Sequence, residues 1–499
     1  MKTLDIAEVS AHKSAESCWV IINNNVYDVT KFLPDHPGGT RSILRLAGKD
    51  ATSDFEAIHP PGTLEENLPE SAKVGTVTMS QLETVVEKRE EVKLAPESVE
   101  DMINIDDIVD HAKRTLSKRA WAYYASAADD SYSKGYNAKA FRKVLFRPRV
   151  LIDITKADTT SSILGVKTTL PVFVCPAALA RLAHPDGEKA IARAAGKQGI
   201  VQMVSNNASL NYTDIVTAKI KPDQPFMFQL YVHSDRARSE RLLKDIVKAG
   251  CRAVVLTVDS PTPGKRELDE RNAREEARAS GIVDDKTPLS ATSGAGDESA
   301  PGGVGKALSA AITGDLVWSD VEWLRKQLPA DVKIALKGLQ TVEDVVIASD
   351  LKDKDGKKLV DGVVLSNHGG RSLNFSPPPL VLLEELRLYK PEVFRKLEIC
   401  IDGGITRGTD VLKALCLGAT QVGIGRPALF GLAGGFGEAG VDRAIQILRG
   451  EIDTSMRLLG VTSLRQLGPQ YVNTRQLDQL LGPTPEEALA SAKKFKSKL

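Results

Sequence analysis

The chain has 499 residues, 42% of them hydrophobic and 26% charged, with a formal net charge of +1. That length exceeds one ordinary domain, and that charge balance argues against a general nucleic-acid or membrane-surface role. No apolar stretch reaches the ~20 residues of a membrane-spanning helix, and the start, Met1-Lys2-Thr3-Leu4-Asp5, has neither an apolar signal region nor an arginine-rich presequence. Five cysteines, Cys18, Cys175, Cys251, Cys400 and Cys416, form no Cys-x-x-Cys and read as reduced core residues.

Residues 1–78 read as a first unit. Cys18 to Ile22 and Val26 to Val29 have the character of two strands around an Asn23-Asn24-Asn25 turn. Then come Phe32-Leu33-Pro34-Asp35-His36-Pro37-Gly38-Gly39 and, before Pro60-Pro61-Gly62, a second histidine, His59. Helical spacing over 40–47 and 51–58 would let the two histidines clamp a planar cofactor from both sides; the alternative is two surface histidines. The tryptophan-bearing strand, the Val26-Tyr27-Asp28-Val29-Thr30-Lys31-Phe32 run, His-Pro-Gly-Gly and the distance to His59 resemble the cytochrome b5 heme-binding domain, a small α+β fold. The resemblance implies that His36 and His59 are axial ligands of heme b. Two axial imidazoles leave no open iron position, so such a heme carries electrons.

Residues 79–101 are densely charged and contain Pro96. They read as an inter-domain hinge or as an exposed helix.

From 102 to 475, after one or two helices over 103–124, eight short apolar runs alternate with helical patterns: 171–175, 200–204, 226–231, 253–259, 332–337, 362–366, 397–402 and 420–425. Eight such units predict an α/β fold, a (β/α)8 TIM barrel. The runs end at Pro176-Ala177-Ala178, Ser205, Gln229 and Tyr231, Thr257 and Asp259, Lys337, Ser366 and His368, Asp402-Gly403-Gly404, and Gly425-Arg426. In this fold all such endings share one face, where the active site lies. Leu365-Ser366-Asn367-His368-Gly369-Gly370-Arg371 sets a base beside a guanidinium, which grips carboxylates through paired hydrogen bonds. Asp402-Gly403-Gly404 and Gly425-Arg426 suit a phosphate.

These endings, with Trp121-Ala122-Tyr123-Tyr124, Phe146-Arg147-Pro148-Arg149, His184-Pro185-Asp186-Gly187-Glu188 and Arg407 to Leu415, resemble the FMN-dependent 2-hydroxy acid oxidase/dehydrogenase family over about 103–467. With the heme unit in front, the whole is similar to the flavocytochrome b2 type, the L-lactate cytochrome c oxidoreductases. The resemblance implies His368 as base, Asp259 as its partner, and Tyr231 at the substrate oxygen. It implies Arg371, Tyr123 and the nearby Arg266 at the substrate carboxylate, and Asn207 at its side chain. FMN would meet Pro176, Ala177, Ala178, Ser205, Gln229, Thr257, Lys337 and Ser366 along its ring and ribityl parts, and Asp402, Gly403, Gly404, Arg407, Gly425 and Arg426 at its phosphate end. Three residues depart from the family: Ala177 replaces a usual Thr, Thr406 the first of two arginines, and Asn207 an apolar Trp or Leu. Asn207 would favour a small or polar 2-hydroxy acid.

Between runs four and five, Glu267 to Gly314 reads as a mobile lid or a surface insertion, centred on 284–305. The last 30 residues or so read as a helical tail, and the segment 476–499 ends Ser497-Lys498-Leu499, a peroxisomal address. The expected function is FMN-dependent oxidation of an L-2-hydroxy acid, with electrons passing to the heme and on to an acceptor such as cytochrome c, in a homotetramer without nucleic-acid or membrane partners. A peroxisomal oxidase using oxygen, and a non-catalytic heme carrier or sensor, are the alternatives. The expected location is the peroxisome, with the cytoplasm or the mitochondrial intermembrane space as alternatives, and a cytochrome c acceptor conflicts with the peroxisomal address.

Overall fold

The computed structural model describes residues 2–77, 98–279, 304, 308, 312–488 and 490. Most of the 79–101 linker, nearly all of 284–305 and Ser497-Lys498-Leu499 lie outside the described residues. No helix among the described residues is long and apolar enough to cross a membrane.

The N-terminal unit is an antiparallel sheet of Lys13–Ser14, Ser17–Ile22, Asn25–Asp28 and Lys73–Thr76 in that order. Its central hairpin turns on Asn23 and Asn24, with φ of 50° and 62°. Two consecutive left-handed residues match the right-handed twist of the flanking strands, and asparagine tolerates that conformation. Side chains alternate across the sheet as the pleat requires. Cys18, Val20 and Ile22 pack on Leu33, Ala47 and Ala51, while Ile21 and Val26 pack on Leu4 and Val9. Short helices at Thr40–Leu44 and Thr52–Glu56 bring the two histidine-bearing segments over the first of these faces.

The second unit is a closed parallel barrel of eight strands in sequence order: β1 Val172–Val174, β2 Val201–Val204, β3 Phe226–Leu230, β4 Ala253–Thr257, β5 Lys333–Leu339, β6 Gly362–Leu365, β7 Glu398–Asp402 and β8 Gln421–Ile424. The runs are continuously apolar because both faces are buried. One set of residues, among them Phe173, Met203, Met227, Val255, Ala335, Val364 and Cys400, fills the barrel. The alternate set, including Val172, Val254, Leu336 and Val363, faces the helices. A hairpin of Ser161–Ile163 and Val166–Thr168, not foreseen from the sequence, adds Ile163 and Leu164 to the barrel interior, and Leu164 N–H donates to Glu398 Oε1 at 2.8 Å. Because Gly362 and Glu398 are the first residues of their strands, this plug sits at the N-terminal end, opposite the polar strand endings.

Five helices matter below: α1 Ile105–Thr115, α2 Lys118–Ala125, α3 Tyr132–Arg142, α4 Glu267–Ala279 and α5 Glu438–Leu459. The first two are capped by Asn104 and Ser117, whose side chains accept backbone N–H bonds. Helix α4 opens the 267–314 segment ahead of its 284–305 centre, and it is regular helix with Asp269, Asn272 and Ala277 buried at helical spacing. The tail is corrected. Val472–Asn473 is a strand paired with Leu145–Phe146, followed by a turn at Asp478–Leu480. All five cysteines are buried and unpaired.

Helix α5 crosses the segment Arg426–Gly431 so closely that a Cβ on Gly440 would lie 1.9 Å from the Gly431 carbonyl oxygen. We expect Gly440→Ala to destabilise the barrel by about 1–3 kcal/mol, read as a lower denaturation midpoint at unchanged m-value.

Candidate active site

The strand endings enclose a cavity of about 330 Å³, within the size range of small-molecule sites. Of the residues expected there, Tyr123, Pro176, Ala177, Ala178, Ser205, Asn207, Gln229, Tyr231, Thr257, Arg266, Lys337, His368, Arg371, Asp402, Gly403, Gly404, Gly425 and Arg426 line it.

His368 follows β6 with φ of 59°, a left-handed conformation rare outside glycine and asparagine. Gly369 and Gly370 continue it at 62° and 77°. This turn points Nδ1 at Asp259 Oδ1, 2.9 Å away at the end of β4, and leaves Nε2 3.4 Å from the Tyr231 hydroxyl. The Asp259 side chain is fully buried. Burial pushes the His368 pKa below its ordinary 6.5, while Asp259 pulls it back upward. Burial works against the Asp259 charge, but His368 and Lys337 outweigh it and hold its carboxyl below the usual range. The result is a neutral imidazole, oriented through Nδ1, with Nε2 facing the cavity and ready to accept a proton.

Three guanidiniums crowd the same cavity. Arg371 Nη1 donates to the carbonyls of Tyr123 at 2.8 Å and Ser126 at 2.9 Å, and its guanidinium lies over the Tyr123 ring at 5.0 Å. Arg426 donates to the carbonyls of Tyr124, Gly369 and Ser126. Burial, and then the neighbouring Arg266, lower the pKa of Arg371 to about 9 and of Arg426 to about 10. Arg266 Nε is buried without a hydrogen-bond partner among the described residues. Such a cluster, with Arg371 and Arg426 held by neutral carbonyls, lowers its energy by taking up anions.

Behind it, Lys337 Nζ lies 3.1 Å from Asp402 Oδ2 and donates to Ser366 Oγ at 2.9 Å. Burial opposes this ammonium charge, but Asp402 and Asp259 overcome it and raise the pKa above the ordinary value. Lys337 precedes an irregularity in the β5–β6 register at Gly338, φ +107°, where any Cβ would fall 2.5 Å from the Asp259 side chain. Glycine is therefore required to place Lys337 and Asp259 side by side.

Two expected contacts are corrected. Arg407 turns away from the cavity to Glu451 Oε1 at 3.0 Å and Asp106 at 3.5 Å. Gly408 packs so tightly on α5 that Glu451 also accepts its N–H, and this fixes the Arg407 direction; Thr406 lines the cavity in its place. Ser366 is fully buried beneath the lining, donates to Asp402 Oδ1 at 2.6 Å, and acts through Lys337. Sequence reasoning also missed Lys134 and Asn137 of α3, which line the cavity. They precede the first strand, so a search restricted to strand endings could not find them. Lys134 has its pKa lowered to about 8 by burial and then by Arg426 and Arg371.

These residues fit FMN. Gln229 Nε2 and Thr257 Oγ1 are buried with no hydrogen-bond partner among the described residues, as donors and acceptors awaiting a polar ring would be. Gly403 and Gly404, at φ of 88° and 84°, form a backbone cradle beside Arg426.

In the N-terminal unit the His36 and His59 rings stand 6.0 Å apart between centroids, room for one metal bonded by each nitrogen at about 2 Å. His36 Nδ1 faces the Gly39 carbonyl at 3.2 Å and His59 Nδ1 the Phe55 carbonyl at 3.1 Å, which directs both Nε2 atoms elsewhere. Burial lowers both pKa values, that of His59 to about 4, so both imidazoles are neutral, as ligation requires. The pair fits a heme iron.

The FMN-dependent dehydrogenase family model matches residues 112–474, and the cytochrome b5-like heme/steroid binding domain model matches residues 5–78. L-lactate dehydrogenase (cytochrome) of Saccharomyces cerevisiae is 38% identical over 97% of this chain and 82% of that protein. Glycolate oxidase of Spinacia oleracea is 36% identical over 74% of this chain and 96% of its own. A solved flavocytochrome b2 structure superposes with a TM-score of 0.67 at 36% identity, covering 81% of this chain and 94% of that one.

Replacing His59 with alanine is expected to abolish the heme absorption bands while the flavin spectrum persists. An unchanged heme band in that variant would contradict the assignment of the pair.

Proposed function

The chain belongs to the FMN-dependent dehydrogenase family, with FMN as the cofactor of its barrel and heme b in its cytochrome b5-like domain, and from that premise we propose that it oxidises a short L-2-hydroxy acid, lactate or a close analogue, to the 2-oxo acid. The observation that carries this reading is the neutral, Asp259-oriented His368 facing three guanidiniums across one cavity.

The substrate carboxylate pairs with Arg371, with Arg266 beside it, and the Tyr123 hydroxyl completes the grip. The C2 hydroxyl is then within reach of both His368 Nε2 and the Tyr231 hydroxyl, which stand 3.4 Å apart on the same side of the cavity. Oxidation releases two electrons and two protons. His368 Nε2 takes one proton, and the buried Asp259 carboxylate stabilises the imidazolium that forms; the other leaves with the electron pair or to solvent. Bound FMN supplies the two-electron acceptor and heme b a one-electron relay toward an acceptor such as cytochrome c. Lys337, kept charged by Asp402 and Asp259, lines the same cavity and would stabilise the negative charge that a bound flavin gains on reduction. Asn207, half-buried on the cavity wall, presents an amide where an apolar side chain would suit a longer substrate, which supports a small or polar C3 group.

Anaerobic addition of lactate, glycolate and glycerate to the purified holoprotein tests the reading. At least one acid is expected to bleach the flavin and then reduce the heme. Failure of every short 2-hydroxy acid to bleach it would overturn the proposal.

A further inference from the structure

The segment that carries His59 also makes contacts with the barrel domain. Thr52–Glu56 and the residues after it point in two directions. Phe55 stacks on His59 at 4.4 Å, toward the heme site. Asp54, Glu56 and Ile58 turn to the barrel. Ile58 packs against the barrel's own hydrophobic core. Glu56 receives Arg181 twice, at its carbonyl oxygen (2.8 Å) and its carboxylate (2.9 Å). Asp54 Oδ1 is shared by an arginine from each domain: Arg45 at 2.8 Å and Arg119 of α2 at 2.5 Å. Arg45 then reaches across to Glu276 of α4 at 3.1 Å.

The four side chains form an alternating chain, Arg119–Asp54–Arg45–Glu276, with no net charge. Arg119 and Arg45 are each only 16% exposed at the side chain, so solvent screens the contact weakly compared with a surface pair. Helix α2 begins at this contact and, one turn on, lines the flavin cavity with Trp121, Tyr123 and Tyr124. One helix of eight residues thus connects the histidine-bearing segment of one domain to the flavin cavity of the other.

We propose that the Arg119–Asp54–Arg45–Glu276 network is a docking latch that positions the heme domain for electron transfer, with Asp54 and Arg119 as positioning residues. The inference rests on the proposed function only for what the docked state is used for; the docking itself is independent of substrate. Loss of the Arg119 charge leaves Asp54 with a partner from its own domain alone. The bound orientation then loses its cross-domain ion pair at Asp54, and the separated state gains population.

The test uses the full-chain holoprotein, with Arg119→Gln, Asp54→Asn and the conservative Arg119→Lys. Two readouts are followed. Hydrogen–deuterium exchange reports protection of 52–59 and 118–125. The flavin is also reduced by light without any substrate, and the rise of the reduced-heme band is timed. The neutral variants are expected to lose protection in both segments and to reduce heme about tenfold more slowly or worse. Flavin photoreduction is expected to be unchanged, and Arg119→Lys to recover most of the heme rate. Unchanged protection and unchanged heme reduction in both neutral variants would overturn the latch. If Arg119→Gln fails to load its cofactors, Asp54→Asn decides. Because light replaces the substrate, a chain that bleaches with no hydroxy acid still reports on the latch, so the two proposals fail separately.

Discussion

A buried carboxylate aimed at a buried imidazole is the constraint around which this barrel is arranged. Asp259 and His368 follow different strands, β4 and β6, and meet at 2.9 Å only because β5 between them carries a glycine where a Cβ would strike Asp259. His368 adopts a left-handed backbone to complete the contact. A non-glycine residue in that conformation is costly and persists where its surroundings over-determine it. Here they include Ser366, whose hydroxyl accepts the His368 N–H at 3.0 Å while donating to Asp402. The same serine accepts from Lys337, so the base and the buried cation are fixed by one shared hydroxyl.

The electrostatics of the cavity follow from that arrangement. Lys337 is balanced by two carboxylates, whereas Arg371 and Arg426 rest on backbone carbonyls beside a third guanidinium. Carbonyls satisfy hydrogen bonds without cancelling charge. The protein therefore holds a region of uncompensated positive potential enclosed in low dielectric, where an anion is bound far more strongly than in water. A 2-hydroxy acid and a flavin phosphate both bring the missing charge, and this explains why Arg371 and Arg426 are tolerated without an acid partner among the described residues.

Much of this was legible in the residues. The eight apolar runs became eight strands because period and length are local properties, and the polar endings gathered on one face because a closed parallel barrel leaves no other choice. His36 and His59 were legible because a short motif and a fixed distance carry them. Arg407 was misjudged because its direction depends on Glu451, a residue of a helix far along the chain, and Ser366 because a strand ending does not reveal which side chains lie under the lining. Lys134 escaped notice because it precedes the barrel. The contact between Arg119 and Asp54 spans 65 residues and two domains and has no local signature at all.

The central claim is that a neutral His368, oriented by Asp259, is the base. The pH dependence of flavin bleaching under single-turnover, anaerobic conditions tests it most directly, in the native protein and in Asp259→Asn. His368 must be unprotonated to act, so bleaching is expected to rise with pH and level off, with a midpoint below the ordinary 6.5 because burial lowers the pKa. Removing Asp259 removes the group that pulls the pKa upward, so the midpoint should fall further, while the plateau rate drops by about 10²-fold or more. A midpoint above the ordinary value in the native protein, or an upward shift in the variant, would contradict the account.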